Sequence, residues 1–321
     1  MRKWLSSGLI ILLFFIFLIY KNEVVTGAAE GLLLWYRFVL PSLLPFMILV
    51  NVMMHIDTIS ILAKVFGPLM KYVPGVSSKG SFAVLSGFLC GYPMGAKVSA
   101  DLVAGNQISS TEGSYLLSFC NNTSPMFVMS VLLLKFVPEE ELHLPFFLIL
   151  FLTPLLCGQL FRIYYMHGTC GAFAVKAFPS RNPLSRREDG FPEMFDVCLM
   201  DSFHAIVKVG LYMMLFSILI RLSTALLPGR GLTKTLFLSS LEITTGLSLL
   251  AKLKIPAGFR YILLLSETSF GGFCAIFQTS SMIQESGLKI LPYIAQKLIT
   301  AVITSLLTYL YLCSFHPAAF S

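Results

Sequence analysis

The sequence predicts an all-α polytopic membrane protein: an inverted structural repeat with re-entrant helical hairpins and interrupted transmembrane helices. Three observations carry that expectation. The 321 residues are 56% hydrophobic and only 12% charged, with a mean hydropathy of +0.81. Apolar runs approaching or exceeding the roughly 18–20 residues of a spanning helix recur along the chain. Two neighbouring runs also contain residues that a lipid-facing helix excludes: Gly91, Pro93 and Gly95 in one, Asn121, Asn122 and Pro125 in the other. Non-helical backbone at bilayer depth is tolerated where it is buried in protein or lines a watery cavity, so these breaks mark a polar site.

Taken in order, Trp4–Tyr20 reads as an uncleaved signal-anchor helix with its amino end inside, despite small residues at Val25–Ala29 that resemble a cleavage site. Lys21–Glu30 is expected as a short outer loop. Gly31–Met54 is the second span, with Pro41 and Pro45 as kink points because each removes a backbone donor. Lys64, Lys71 and Lys79 dot a partly amphipathic stretch read as an interfacial helix on the cytoplasmic face. Gly80–Gly105, split at Cys90–Gly95, is expected as a re-entrant hairpin, since each half is too short to cross. Gly113–Val137 spans outward with a break at Asn121–Pro125, Pro138–Glu141 forms an acidic outer loop, and Leu142–Phe161 returns. Arg162, Lys176, Arg181, Arg186 and Arg187 then mark a basic cytoplasmic linker over 162–196.

The second half follows the same order. Val197–Leu227 is a long span; Leu232–Leu253 holds a break at Glu242–Gly246; Phe259–Ile283 is interrupted; Ile290–Cys313 is the last span. Laying Tyr115–Phe127 over Tyr261–Phe273 pairs the tyrosines, the terminal phenylalanines and the polar breaks. An odd number of crossings per half makes the halves face opposite ways, which predicts the inversion. This topology leaves Arg230, Lys234, Lys252, Lys254 and Arg260 on the outer side; a full crossing by Leu232–Leu253 would reverse the tail instead. The expected units are therefore 1–30, a first repeat 31–161, the linker 162–196, a second repeat 197–313 and a tail 314–321.

Inverted repeats with discontinuous helices bind substrate near the midplane, where half-helix N-termini suit anions and free carbonyls suit cations. The expected substrate-binding residues are Gly91, Tyr92, Pro93, Gly95, Lys97, Asn121, Asn122 and Ser124 in the first half, with Glu242, Thr245, Glu267, Thr268 and Ser269 in the second. A charge at the bilayer centre costs about 2.5–3.5 kcal/mol, so Glu242 and Glu267 need a partner, a proton or water, and Lys97 is the expected counter-charge. Packing readings stand beside these: Asn121-Asn122 as hydrogen-bond glue between helices, Lys97 as a snorkelling surface lysine, and His204 and Lys208 as structural. Asp101 and Glu112 are expected at the interface without a specific role.

Other chemistry finds little support. The formal charge of +7 is dispersed between apolar runs, which argues against nucleic acid. The seven cysteines contain no CxxC and are expected as small apolar packers. No Ser/His, paired-Asp, zinc-type or P-loop arrangement occurs, so neither an enzyme nor a metal or other cofactor is expected. The expected partners are a small anionic substrate, the lipid bilayer, and further copies of the chain or other membrane proteins.

The Gly91–Lys97 run, G-Y-P-x-G-A-K, followed by Cys120–Pro125, C-N-N-T-S-P, resembles the "nucleoside recognition" or Gate domain family. It is most similar to the YlbJ-type sporulation integral membrane proteins of endospore-forming bacteria, over roughly Gly31 to Cys313. The resemblance makes 31–161 and 197–313 Gate-like repeats and implies an architecture similar to concentrative nucleoside transporters. It also implies transport of dipicolinic acid across the outer forespore membrane during sporulation. The Gly-Gln-Thr/Ser-Glu-Ala hairpin motif of nucleoside carriers is replaced here by Gly91-Tyr92-Pro93-Met94-Gly95, which turns the expectation away from nucleosides. A planar dianion held by hairpin N-termini, Lys97 and the paired asparagines is the leading reading. A nucleoside-type transporter and a non-transporting sporulation scaffold docking through 162–196 are the alternatives.

Overall fold

A computed structural model of the chain describes residues 2–56, 58, 61, 75–165, 190–226 and 231–320. The described residues are helical and connected by short breaks and turns. Six helices among them are long and apolar enough to cross a bilayer. Much of their surface is apolar, as lipid requires: Leu144, Leu148, Leu152, Leu156 and Leu160 form an exposed stripe at four-residue spacing on one, and Leu298, Val302, Leu306 and Leu310 a similar one on another.

The chain opens with α1 (Arg2–Ile19). The expected outer loop Lys21–Glu30 is not a loop. It belongs to α2 (Lys21–Leu34), which continues through a π-helical turn at Trp35–Val39 into α3 (Leu40–His55). The run EVVTGAAEGLLL carries no proline and no turn signal, and Glu30 gains a partner there, Arg221, so helix propagation continues through the polar residues. Residues 62–74, with Lys64 and Lys71 of the expected interfacial helix, and 166–189, which hold most of the basic linker, lie outside the described residues.

The first interrupted pair is α4 (Gly80–Cys90) and α5 (Met94–Ala104), joined at Gly91–Pro93. The pair folds back on itself, since a side chain on Gly87 or Gly95 would each fall on the Cys120 carbonyl oxygen between them. Next come α6 (Ser110–Cys120), a break at Asn121–Ser124, and α7 (Pro125–Phe127), which runs through a π turn at Val128–Leu133 into α8 (Leu134–Phe136). Ser109 caps α6 by accepting the Glu112 amide, and Ser124 caps α7 by accepting the Phe127 amide. α9 (His143–Tyr165) follows.

After the linker the order recurs. α10 (Phe191–Leu226) is a single long helix. α11 (Leu232–Leu241) and α12 (Ile243–Ala251) meet at Glu242, and a Cβ on Gly246 would fall on the Ser239 carbonyl oxygen, so this pair also turns back. The break is narrower than Glu242–Gly246: Thr245 and Gly246 are already helical, because the Glu242 carboxylate caps the new helix. α13 (Ala257–Phe270) and α14 (Gly272–Ile283) are separated by Gly271 at φ +84°, a left-handed conformation that glycine adopts without strain. α15 (Ile290–Phe315) closes the fold.

The two long helical rods, α2–α3 and α10, run antiparallel and are stitched along their length. Arg221 pairs with Glu30, the Trp35 indole donates to the Ile206 carbonyl at 3.0 Å, and Asn51 donates to Ser202 Oγ at 2.8 Å. A core of buried residues including Phe82, Tyr115, Phe119, Met213 and Tyr293 joins the interrupted helices to these rods. Cys90, Cys120, Cys157 and Cys274 are buried within it, as packers should be, and Cys198 is buried outside it.

Candidate functional site

The breaks converge. The Tyr92 amide donates to the Asn122 carbonyl at 2.6 Å, so the tip of the first hairpin seats on the break between α6 and α7. Gly91, at φ +82°, lies so close that a Cβ there would stand 2.6 Å from the Ser124 nitrogen. In the second half, the chain at Gly272 abuts the Ser240 carbonyl and the Ile243 nitrogen, so the α13–α14 break rests on the α11–α12 tip in the same manner. The Tyr92 ring then lies against Gly271, and Thr123 Oγ1 donates to the Thr268 carbonyl at 2.8 Å, which brings the two sets together.

A cavity of about 100 Å³ opens at this junction, and all four breaks contribute to its wall. Cys90 and Tyr92 come from the first tip, Thr123 and Ser124 from the first broken helix, Glu242 and Thr244 from the second tip, and Gly271, Cys274 and Gln278 from the second broken helix. The rods supply an apolar side with Phe38, Leu43, Val209 and Met213. Among the described residues, Glu242 is the single charged residue on this wall, and it is 2% exposed. Its carboxylate accepts the amides of Thr244 at 3.0 Å and Thr245 at 2.9 Å, which places an anion on the positive end of α12.

Of the expected site residues, Tyr92, Ser124 and Glu242 line this cavity. Gly91, Pro93 and Gly95 build the tip behind Tyr92, and Thr245 caps onto Glu242. Asn122, Thr268 and Ser269 face a much smaller void of about 10 Å³ on the far side of the break, with Thr123 common to both. Glu267 lies in the last turn of α13, where its buried Oε1 has no hydrogen-bond partner among the described residues.

Lys97 is not the counter-charge of Glu242 and Glu267. It pairs with Asp101 at 2.7 Å and donates to Asn51 at 3.1 Å, because the four-residue spacing on α5 puts the two charges on one face beside the rod. Asp101 therefore has a definite role. Glu112, expected at the interface, is fully buried and accepts the Ser77 amide at 2.7 Å. His204 and Lys208 are exposed and lie off the cavity.

Asn121 is committed to structure. Its Oδ1 accepts the Ala96 amide, and its Nδ2 donates to Thr279 Oγ1 at 2.9 Å and Tyr293 Oη at 3.0 Å. The residue that sequence reading passed over is Lys297 on α15, which is 2% exposed. Its ammonium donates to the Asn121 carbonyl at 3.3 Å and to Asn122 Oδ1 at 3.1 Å. A signal existed: a lone lysine inside an apolar span, continued by Thr300, Thr304 and Thr308 along one buried helix face. Gln278 was missed as well. A glutamine four residues after a cysteine looks like ordinary helix sequence until the fold sets both at the cavity.

Fold and site together define a polytopic α-helical integral membrane protein with a cavity at which the breaks of its interrupted helices meet. The chain is related to the sporulation integral membrane protein YlbJ of Bacillus subtilis (strain 168), at 23% identity over 336 residues that cover 92% of this chain and 80% of that protein. No family model matches the chain, so the Gate domain stands as a resemblance, and no solved structure matches it.

Proposed function

We propose that the protein is a carrier that moves a small organic solute across the membrane through the cavity at the junction of the breaks. One observation carries this reading: each of the four helix interruptions touches the same cavity. Interruptions scattered for packing would have no reason to share one space. Two sets of elements led by antiparallel rods fit an inverted repeat, and rocking one set against the other exposes such a site alternately to each side.

Dipicolinic acid, moved across the outer forespore membrane during sporulation, is the substrate we propose. The relationship to a sporulation membrane protein supports it.

The test is uptake of labelled dipicolinate into proteoliposomes, compared with uridine, with and without a pH gradient. Saturable dipicolinate uptake is expected, and it is lost in Ser130→Phe, which fills the cavity from a partly exposed wall position. Uridine uptake would replace the substrate, and absence of uptake of either from folded protein would overturn the carrier reading.

A further inference from the structure

We infer that Lys297 is the carrier's coupling site: its side-chain amine binds and releases one proton in each cycle, and dipicolinate crosses with that proton. The inference rests on the carrier reading and names the ion that drives it.

The break at Asn121–Ser124 releases backbone carbonyls from helical hydrogen bonding, and in carriers with broken helices such carbonyls hold the coupling ion. Here they meet a cation that belongs to the chain. Lys297 is 2% exposed, and its ammonium donates to the Asn121 carbonyl at 3.3 Å and to Asn122 Oδ1 at 3.1 Å. Both acceptors are neutral, and a charge set on neutral partners in the interior is costly to keep. A lysine can shed that charge by releasing a proton. A bound metal ion has no such route.

The ionisable groups facing the amine are the Cys120 thiol on α6 and the Cys157 thiol on α9. Tyr293 stands one turn back on α15 and meets the break through Asn121, as Thr279 of α14 does. From α13, Ser269 accepts the Thr304 hydroxyl at 3.0 Å, two residues beyond Glu267. Thr300, Thr304 and Thr308 continue from Lys297 along the buried face of α15, so the amine sits at one end of a ladder of hydroxyls.

Asn122 joins the amine to the cavity. Its Oδ1 accepts from Lys297 while its backbone carbonyl accepts the Tyr92 amide at 2.6 Å. Tyr92 lines the cavity wall, and so do Thr123 and Ser124, the next residues along the break. A change of charge at Lys297 therefore acts on the residue that fixes both the break and the hairpin tip. The protonated amine favours a dianion at this junction, and by linkage the dianion favours the proton. Each ligand strengthens the binding of the other, which makes the two travel together.

The test is dipicolinate uptake into proteoliposomes holding the full chain, with the membrane potential clamped at zero and the outside about one pH unit more acid than the inside. One proton per solute sustains about tenfold accumulation under these conditions. A protonophore should abolish it, and a sodium gradient of the same size should have no effect. Lys297→Gln keeps a donor for the break, and Lys297→Arg keeps the charge but does not release its proton; both should only equilibrate dipicolinate. A lysine serving as a fixed structural cation predicts the opposite for arginine, with accumulation restored. Accumulation in either folded variant overturns the inference. Whether or not the variants fold, so does uptake by the unmodified protein that ignores the proton gradient or follows sodium. The carrier reading fails separately, if the unmodified protein neither takes up nor exchanges dipicolinate under any gradient, and the coupling then falls with it.

Discussion

The Lys297 ammonium donates to Asn122 Oδ1 at 3.1 Å, so a buried cation on the last spanning helix closes the first broken helix. The same group reaches the Asn121 carbonyl, one of the backbone oxygens that the break releases from helical hydrogen bonding. Sequence separates the partners by 175 residues.

This contact yields a coupling. Asn122→Leu removes one acceptor and leaves the ammonium buried with less compensation, whereas Lys297→Met together with Asn122→Leu removes both. The double variant should be more stable than the single substitutions predict, with a coupling energy of about 1–3 kcal/mol. Thermal denaturation of the four proteins in detergent measures it. Additive losses would show that the two side chains act independently.

Asn121→Ala should act on folding before it acts on flux. The substitution removes three hydrogen bonds, one to the Ala96 amide and two to Thr279 and Tyr293. At roughly 1 kcal/mol each the loss is about 3 kcal/mol. A lowered Tm and faster exchange of the amides around Ala96 are expected. Unchanged stability with lost transport would return Asn121 to the substrate.

The hairpin tip predicts a contrast between glycines. Gly87→Ala drives a methyl group onto the Cys120 carbonyl oxygen, backbone that has no room to yield, while Gly8→Ala meets nothing within 4 Å. The first should cost about 1–3 kcal/mol or more, as overpacking does; the second should be neutral or slightly stabilising in its helix. Expression level and Tm of the two variants decide the comparison.

Glu242 separates capping from charge. Glu242→Ala removes both contacts to the Thr244 and Thr245 amides and should cost about 1–2 kcal/mol. Glu242→Gln keeps an acceptor for the cap and deletes the charge that Glu242 brings to the cavity wall. It should leave the fold nearly as stable and raise the affinity for dipicolinate, an anion that a second carboxylate repels. A Gln variant whose affinity is unmoved would show that this carboxylate does not sense the ligand.

The sequence alone determined the class, most of the helices and the neighbourhood of each break. Apolar runs of spanning length have one stable form in lipid, and glycine, proline or paired asparagines inside them interrupt it for local reasons. That is why breaks within Cys90–Gly95, Asn121–Pro125 and Glu242–Gly246 and an interruption of Phe259–Ile283 were legible from residue order, and the structure narrows them to Gly91–Pro93, Asn121–Ser124, Glu242 and Gly271. Where the signal was weak, as in Lys21–Glu30, a partner distant in sequence, Arg221, decided for helix. Only the tertiary structure decided what each polar group does, because a charged or amide side chain chooses among partners by proximity. Lys97 found Asp101 one turn along its own helix, Asn121 was consumed by Ala96, Thr279 and Tyr293, and Lys297 arrived from the far end of the chain. Desolvation makes each of those choices obligatory in the interior.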